Sequence, residues 1–215
     1  MKKFTLVPIL LGLLVSFSFI PIGKVEAATP ALSYGSKSGD VWDLQFRLRT
    51  RGYFSGKITG VYDTRTAAAV RNFQRNYGLR IDGIAGPQMR DKLKKVSVNA
   101  SELDALARLV YSESRGEPFV GQVAVASVVM NRVQSHVFPE SVKGVIFQRW
   151  AFTAVDDGQY WLTPNAEAYK AALEAVRGWD PSHHSLYYFN PATATSGWIW
   201  SRPQTVRIGH HIFAR

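Results

Sequence analysis

The chain reads as a mainly α protein: a small three-helix unit followed by a larger, α-rich α+β domain. Three observations predict this. Apolar residues recur at helical spacing in three short segments between residues 40 and 93 and in three longer ones between 101 and 177. The charge divides near residue 99. Ala28 to Asn99 holds thirteen Lys/Arg against five Asp/Glu, whereas Ala100 to Arg215 holds ten of each, which marks two domains with different tasks. Strand-like alternation is confined to the C-terminal part, where Trp198-Ile199-Trp200 predicts a strand with both indoles on one face.

The chain opens Met1-Lys2-Lys3, runs apolar from Phe4 through Ile22, and reaches Val25-Glu26-Ala27 with small residues where a signal peptidase reads. This predicts a secretory signal over residues 1–27, cleaved after Ala27. An uncleaved anchor is the alternative, because the run approaches spanning length; Pro21 and Gly23 favour cleavage. No stable membrane span is expected after cleavage. The absence of cysteine excludes disulfides, a thiol nucleophile and thiolate metal sites. The basic segment suits nucleic acid, anionic lipid or an anionic wall polymer, or is a solvated helical face. Export argues against nucleic acid.

The first domain is expected over residues 32–95. Val41, Leu44 and Leu48 mark one face of a helix over Asp40 to Thr50, ended by Gly52-Tyr53-Phe54. Thr66 to Tyr77 repeats the pattern with Ala69, Val70 and Phe73 inward, and Gly78 closes it. Pro87 suits the first turn of a third helix over Gly86 to Leu93. Two related loops, Ile58 to Thr66 and Ile81 to Met89, form a weak internal duplication. Lys94 to Ala100 is a short polar connection that limits independent motion of the two domains.

The second domain is expected over residues 101–215. Ser101-Glu-Leu-Asp104 reads as a capping box opening a helix with Leu103, Leu106, Ala107 and Val110 on one face. Glu113 continues that face to the Gly116-Glu117-Pro118 break. A lone acid at such a junction is expected to face a cleft with partly apolar surroundings, the setting in which a carboxyl serves as a general acid. Phe119 to Val133 is nearly all small and apolar, a helix buried on most sides. A further helix spans Pro164 to Arg177, with Thr163 as cap, Ala168, Leu173 and Val176 inward, and Gly178 as stop. Aromatic residues crowd the remainder, and a saccharide cleft would use some of them.

Leu44-Gln45, Gly52-Tyr53, Thr66-x-x-Ala69-Val70, Phe73-Gln74, Gly78-Leu79 and Asp82-Gly83-x-x-Gly86 resemble the three-helix peptidoglycan-binding domains over about Ser36 to Leu93. Thr59-Gly60-Val61-Tyr62-Asp63 departs from the family's usual Asp-Gly-x-Phe-Gly. The second domain resembles the SleB/CwlJ family of spore cortex-lytic enzymes. The matching stretches are Ala107 to Pro118, Gly121-Gln-Val-Ala-Val-Ala, Asn131-Arg-Val133, Phe152 to Gln159, Asn190 to Ser196 and Ile208-Gly-x-His-x-Phe213. A leader plus a wall-binding module is similar to the SleB branch.

The resemblance implies a lysozyme-like catalytic core with its glutamate at Glu113. It implies lytic transglycosylase action on cortex peptidoglycan containing muramic-δ-lactam, at the spore cortex or inner spore membrane surface, with no cofactor. It also implies an accessory spore protein as partner. The family's usual Gly-Glu-Ala is Ser112-Glu113-Ser114 here, which alters the hydrogen bonding expected around the acid.

One acid suffices for such chemistry, because the muramic C6 hydroxyl supplies the nucleophile. A hydrolase needs a second carboxylate, for which Glu117, Asp156 and Asp157 are the candidates, although all three also read as turn or cap residues. Phe152, Asp156, Tyr188, Asn190, Trp198 and Trp200 are the expected substrate-binding residues. A zinc amidase cutting the stem peptide is the rival. Its ligands would come from His136, His183, His184, His210 and His211, but no His-Glu-x-x-His occurs and adjacent pairs cannot point one way on a strand.

Overall fold

The computed structural model describes residues 30–215, so the predicted leader lies outside the described residues. Three helices make the first unit: α1 (Gly39–Thr50), α2 (Thr64–Asn76) and α3 (Pro87–Val96). Ser38 and Asp63 cap α1 and α2 by accepting from Val41 and Thr66 N–H, and Pro87 opens α3. Their inner faces build one core from Val41, Leu44, Leu48, Val70, Phe73 and Leu93, with Tyr62 and Ala85 from the loops.

The internal duplication has a structural counterpart in two buried glutamines. Gln45 Oε1 accepts from Thr59 and Gly60 N–H, and its amide donates to Val61 O and Thr66 Oγ1. Gln74 does the same for the second loop, accepting from Gly83 N–H and donating to Asp82 Oδ1 and Ile84 O. Each loop's backbone is thus satisfied from inside, which a buried amide must achieve to be tolerated.

The second unit contains α4 (Ala100–Ser114), α5 (Phe119–Gln134), the short α6 (Val142–Ile146) and α7 (Thr153–Asp156), α8 (Ala166–Arg177), β1 (Tyr187–Phe189), α9 (Gly197–Trp200), β2 (Gln204–Ile208) and β3 (His211–Ala214). Helices α4, α5 and α8 pack on one another around Leu106, Leu109, Val110, Val123, Val129, Ala172 and Val176. The strands form an antiparallel sheet in the order β1-β3-β2. Phe213 on β3 plugs the sheet onto α5 against Ala124, Val125 and Val128. Mainly α with a small sheet is the architecture expected.

Five details differ from expectation. The capping box of α4 is Asn99-x-x-Glu102, not Ser101-x-x-Asp104. Asn99 Oδ1 accepts from Glu102 N–H at 2.8 Å, and Glu102 Oε2 accepts from Asn99 N–H at 2.8 Å. Asp104 is instead paired with Arg108 and Tyr169 on the helix flank. Both tetrads fit the capping pattern, and only the chain's entry direction chooses between them. Asn99→Ala is expected to cost about 1 kcal/mol, read as a lower urea midpoint with unchanged slope.

The cap of α8 is likewise Asn165, two residues beyond Thr163. Gly178 stops α8 as expected, at φ 108°. Leu173 is only half-buried and lies with Leu103 toward Phe46, Arg49 and Thr50 of α1.

The connection between the units is not a polar linker. Helix α3 runs on to Val96, Ser97 is buried, and Val98 is fully buried in the core of the second unit. Arg47 on α1 bonds Asp43 and Ser97 O and reaches Glu102 at 3.4 Å. Arg51 donates to Tyr77 Oη and to Val176 O at the end of α8.

Trp198-Ile199-Trp200 is a helical turn, not a strand. Three residues are too few to separate a period of 2 from one of 3.6. Both indoles nevertheless pack on one face of β1, Trp198 against Tyr187 and Trp200 against Phe189, with ring centroids 5.1 and 4.9 Å apart.

Candidate active site

Glu113 sits in the last turn of α4, half-buried, with each carboxylate oxygen held by a different element. Oε1 accepts from the backbone N–H of Ala154 at 3.0 Å. That N–H belongs to the first turn of α7, where it has no partner within its own helix, and the residue at the N-cap, Phe152, supplies no side-chain acceptor. Oε2 accepts from the Tyr188 hydroxyl at 2.9 Å. Burial, then the Glu113 charge and the hydrogen bond to it, push the Tyr188 phenol well above its ordinary range, so it stays protonated and donates.

Ser112 and Ser114 turn their hydroxyls back to Leu109 O and Val110 O. Neither hydroxyl bonds the Glu113 carboxylate, so Ser-Glu-Ser in place of Gly-Glu-Ala leaves the carboxylate's own partners to α7 and β1.

The sheet is what aims Tyr188. Its Cα pairs with that of Phe213, and its ring packs 5.9 Å from Phe213, 5.1 Å from His211 and 6.4 Å from Phe152. Because side chains alternate along a strand, Tyr187 and Phe189 face the opposite way and carry Trp198 and Trp200. The structure therefore brings Glu113, Tyr188 and Phe152 together and sets Trp198 and Trp200 behind β1. Phe152 is buried and supports the Tyr188 ring. Asn190 accepts from Ala192 N–H within its own turn. Asp156 is exposed at the end of α7.

The remaining acids near the break are committed elsewhere. Glu117 has its side chain almost fully buried and accepts from His210 N at 3.0 Å, with His210 Nδ1 at 2.9 Å from its other oxygen. This pins the β2–β3 hairpin to the α4–α5 turn. It also explains Gly209, at φ 57°, where a Cβ would lie 1.9 Å from Glu117 Oε2. Asp157 binds its own loop through Gln159. Among the described residues no three His, Cys, Asp or Glu side chains group as metal ligands.

His211 stacks on Tyr188 with its Nδ1 buried and unpaired. Burial lowers its pKa below the ordinary 6.5, outweighing the pull of Glu117 and Glu113. The unfolded chain then binds the proton more readily than the folded one. The contribution of His211 is complete above pH 6.5 and is lost as pH falls through the lower folded value. His211→Phe is expected to flatten the decline in Tm below pH 6.5, measured by calorimetry across pH 5–8.

Sequence reasoning missed Arg132 and Trp150. Arg132 is the one charged residue of the mostly apolar α5, and that charge was the available signal. Trp150 precedes α7 with its indole 77% exposed and its backbone at φ 61°, an unusual conformation for a bulky residue.

A family profile described as Cell Wall Hydrolase matches residues 116–214, beginning three residues after Glu113, and one described as Putative peptidoglycan binding domain matches residues 37–93. A spore cortex-lytic enzyme of Bacillus cereus is 42% identical, with 95% of this chain and 94% of that protein covered. That of Bacillus subtilis is 35% identical, with 95% and 97% covered. The chain belongs to the spore cortex-lytic enzyme family. Its second unit also resembles the solved catalytic domain of the germination-specific lytic transglycosylase SleB from Bacillus anthracis. Identity is 58% and the TM-score 0.53, covering 55% of this chain and 97% of that one. The enzyme is thus a cell wall hydrolase family member with a peptidoglycan-binding unit ahead of its catalytic fold.

Proposed function

We propose that this enzyme cleaves the glycan strands of spore cortex peptidoglycan by lytic transglycosylation, with Glu113 as both acid and base. The observation that carries this reading is the anchoring of one carboxylate at both oxygens, by Ala154 N–H and the Tyr188 hydroxyl, while Glu117 and Asp157 are engaged elsewhere. Glu113 protonates the glycosidic oxygen as its bond to muramic C1 breaks. The muramic C6 hydroxyl then closes on C1 and returns its proton to Glu113, leaving a 1,6-anhydro end and the acid restored. No water and no second carboxylate enter the step.

Residues 1–27 export the chain to the cortex, residues 32–95 hold it on the wall, and residues 101–215 cut. Exposed Arg65, Arg71, Arg75, Arg80, Lys92, Lys94 and Lys95 give the wall-binding unit its positive surface toward an anionic polymer. Cortex glycan carrying muramic-δ-lactam is the substrate.

Mass spectrometry of muropeptides released from purified cortex tests the chemistry. Products with 1,6-anhydromuramic ends are expected. Reducing muramic ends would overturn the transglycosylase step and place the second carboxylate at Asp156, which is exposed on the helix that holds Glu113.

A further inference from the structure

Two arginines flank Glu113 on α4, Arg108 five residues before it and Arg115 two residues after it. Their spacing is almost two turns, so they share one flank of the helix about 10 Å apart, and Glu113 projects from another side. Both reach the same short stretch of chain. Arg115 Nη2 donates to Gln159 Oε1 at 2.9 Å, and Arg108 Nη1 donates to Trp161 O and Leu162 O at 3.4 and 3.3 Å. That stretch is a single 3-10 turn over Gln159–Trp161, and it follows directly on α7, whose Ala154 N–H holds Glu113.

Gln159 joins this turn to α7. Its Nε2 donates to Asp157 Oδ2 at 2.8 Å and its backbone N–H to Asp157 Oδ1 at 3.0 Å, while Asp157 N–H closes α7 on Thr153 O. The end of α4 and α7 are therefore tied twice. Glu113 holds the start of α7, and Arg115, through Gln159 and Asp157, holds its exit. Helix α7 is one turn of four residues, too short to keep a direction by its own hydrogen bonds. Phe152 and Ala154 are buried and fix its start, whereas Asp156, Asp157 and Gly158 are exposed. Among the described residues, the bond from Arg115 is the one hydrogen bond that ties residues 156–159 to any element outside this stretch. The axis of α7 sets where the Ala154 N–H points, and such a donor works only within about 0.5 Å of its productive place.

We propose that Gln159, together with Arg115, is a positioning residue for Glu113: the two pin the exit of α7 to α4 and so aim the Ala154 N–H at the carboxylate that transfers the proton. The proposal rests on the glycan-cleaving reading above. Neither side chain has to touch substrate. Tyr188 keeps its hold on Oε2 when this tie is cut, so the loss is partial.

The test measures kcat and KM on soluble cortex fragments with the full-length chain carrying Gln159→Met, Arg115→Met or both. Methionine keeps an unbranched side chain and removes its hydrogen bonds. Each single change is expected to lower kcat about tenfold and to leave KM within about twofold. Tm should stay within about 2 °C, because exposed polar contacts contribute little stability. The double variant should be no slower than either single one, since both cut the same tie. Arg115→Lys, which keeps a cationic donor, should recover most of the rate. The Ala154 amide gives a readout independent of turnover. Its nitrogen–proton NMR resonance should move when Glu113→Gln is made in the parent, and should lose that response when Gln159→Met is already present. A Gln159→Met kcat within about twofold of the parent, a raised KM with kcat held, or single effects that multiply in the double variant overturns the positioning role alone. Glu113→Gln protein that still releases anhydro products at the parent rate overturns the glycan-cleaving reading with it.

Discussion

Glu113→Gln is expected to lower muropeptide release from cortex by roughly 10³-fold or more, because in the proposed mechanism one residue serves both proton transfers. The amide keeps the shape of the side chain. Its oxygen still accepts from Ala154 N–H, and its NH2 donates to the Tyr188 oxygen, so both anchors survive with one hydrogen bond reversed. Stability should therefore change by about 1 kcal/mol or less. Glu113→Ala is a poorer probe, since it strands the first turn of α7 and the buried Tyr188 hydroxyl. A Gln variant that melts like the parent and still releases anhydro products at more than about a tenth of the parent rate would remove Glu113 from the mechanism.

Phe213→Ala is expected to be the most damaging single change to the fold. The ring is fully buried between the sheet and Ala124, Val125 and Val128 of α5, with Tyr188 on its flank. Emptying such a site costs about 3–5 kcal/mol, which for a chain of this size lowers Tm by on the order of 10 °C. The change should also reach the chemistry, because β3 pairs with β1 at Tyr188 and sets the hydroxyl that holds Glu113. Activity measured well below the new Tm should fall by about tenfold or more through kcat, since a loosened acid transfers its proton poorly. Full activity at that temperature would show that the Tyr188 contact does not position Glu113.

Much of the helical frame was legible because its signals are local. Gly52, Gly78 and Gly178 marked helix ends, Pro87 marked a start, and Ala69, Val70 and Phe73 repeated at helical spacing. Glu113 was legible as the one acid continuing an apolar face to its break. Errors arose where two neighbouring patterns fit equally well, as with Asn99 against Ser101 and Asn165 against Thr163, because the direction from which the chain enters a helix is a tertiary property. Val98 was misread for the same reason. Two buried residues between lysines and a helix cap look like a linker until the second domain's core is seen to need them.

The sequence by itself determined the helices and the division into a basic and a neutral unit, and singled out Glu113 as the candidate acid, since periodicity, capping and charge are carried by residues near one another in the chain. Only the tertiary structure decided what holds that acid and what surrounds it. The Ala154 N–H and the Tyr188 hydroxyl come from residues 41 and 75 positions away along the chain. Tyr188 reaches Glu113 because Phe213 seats the sheet on α5, and no local pattern records such a contact.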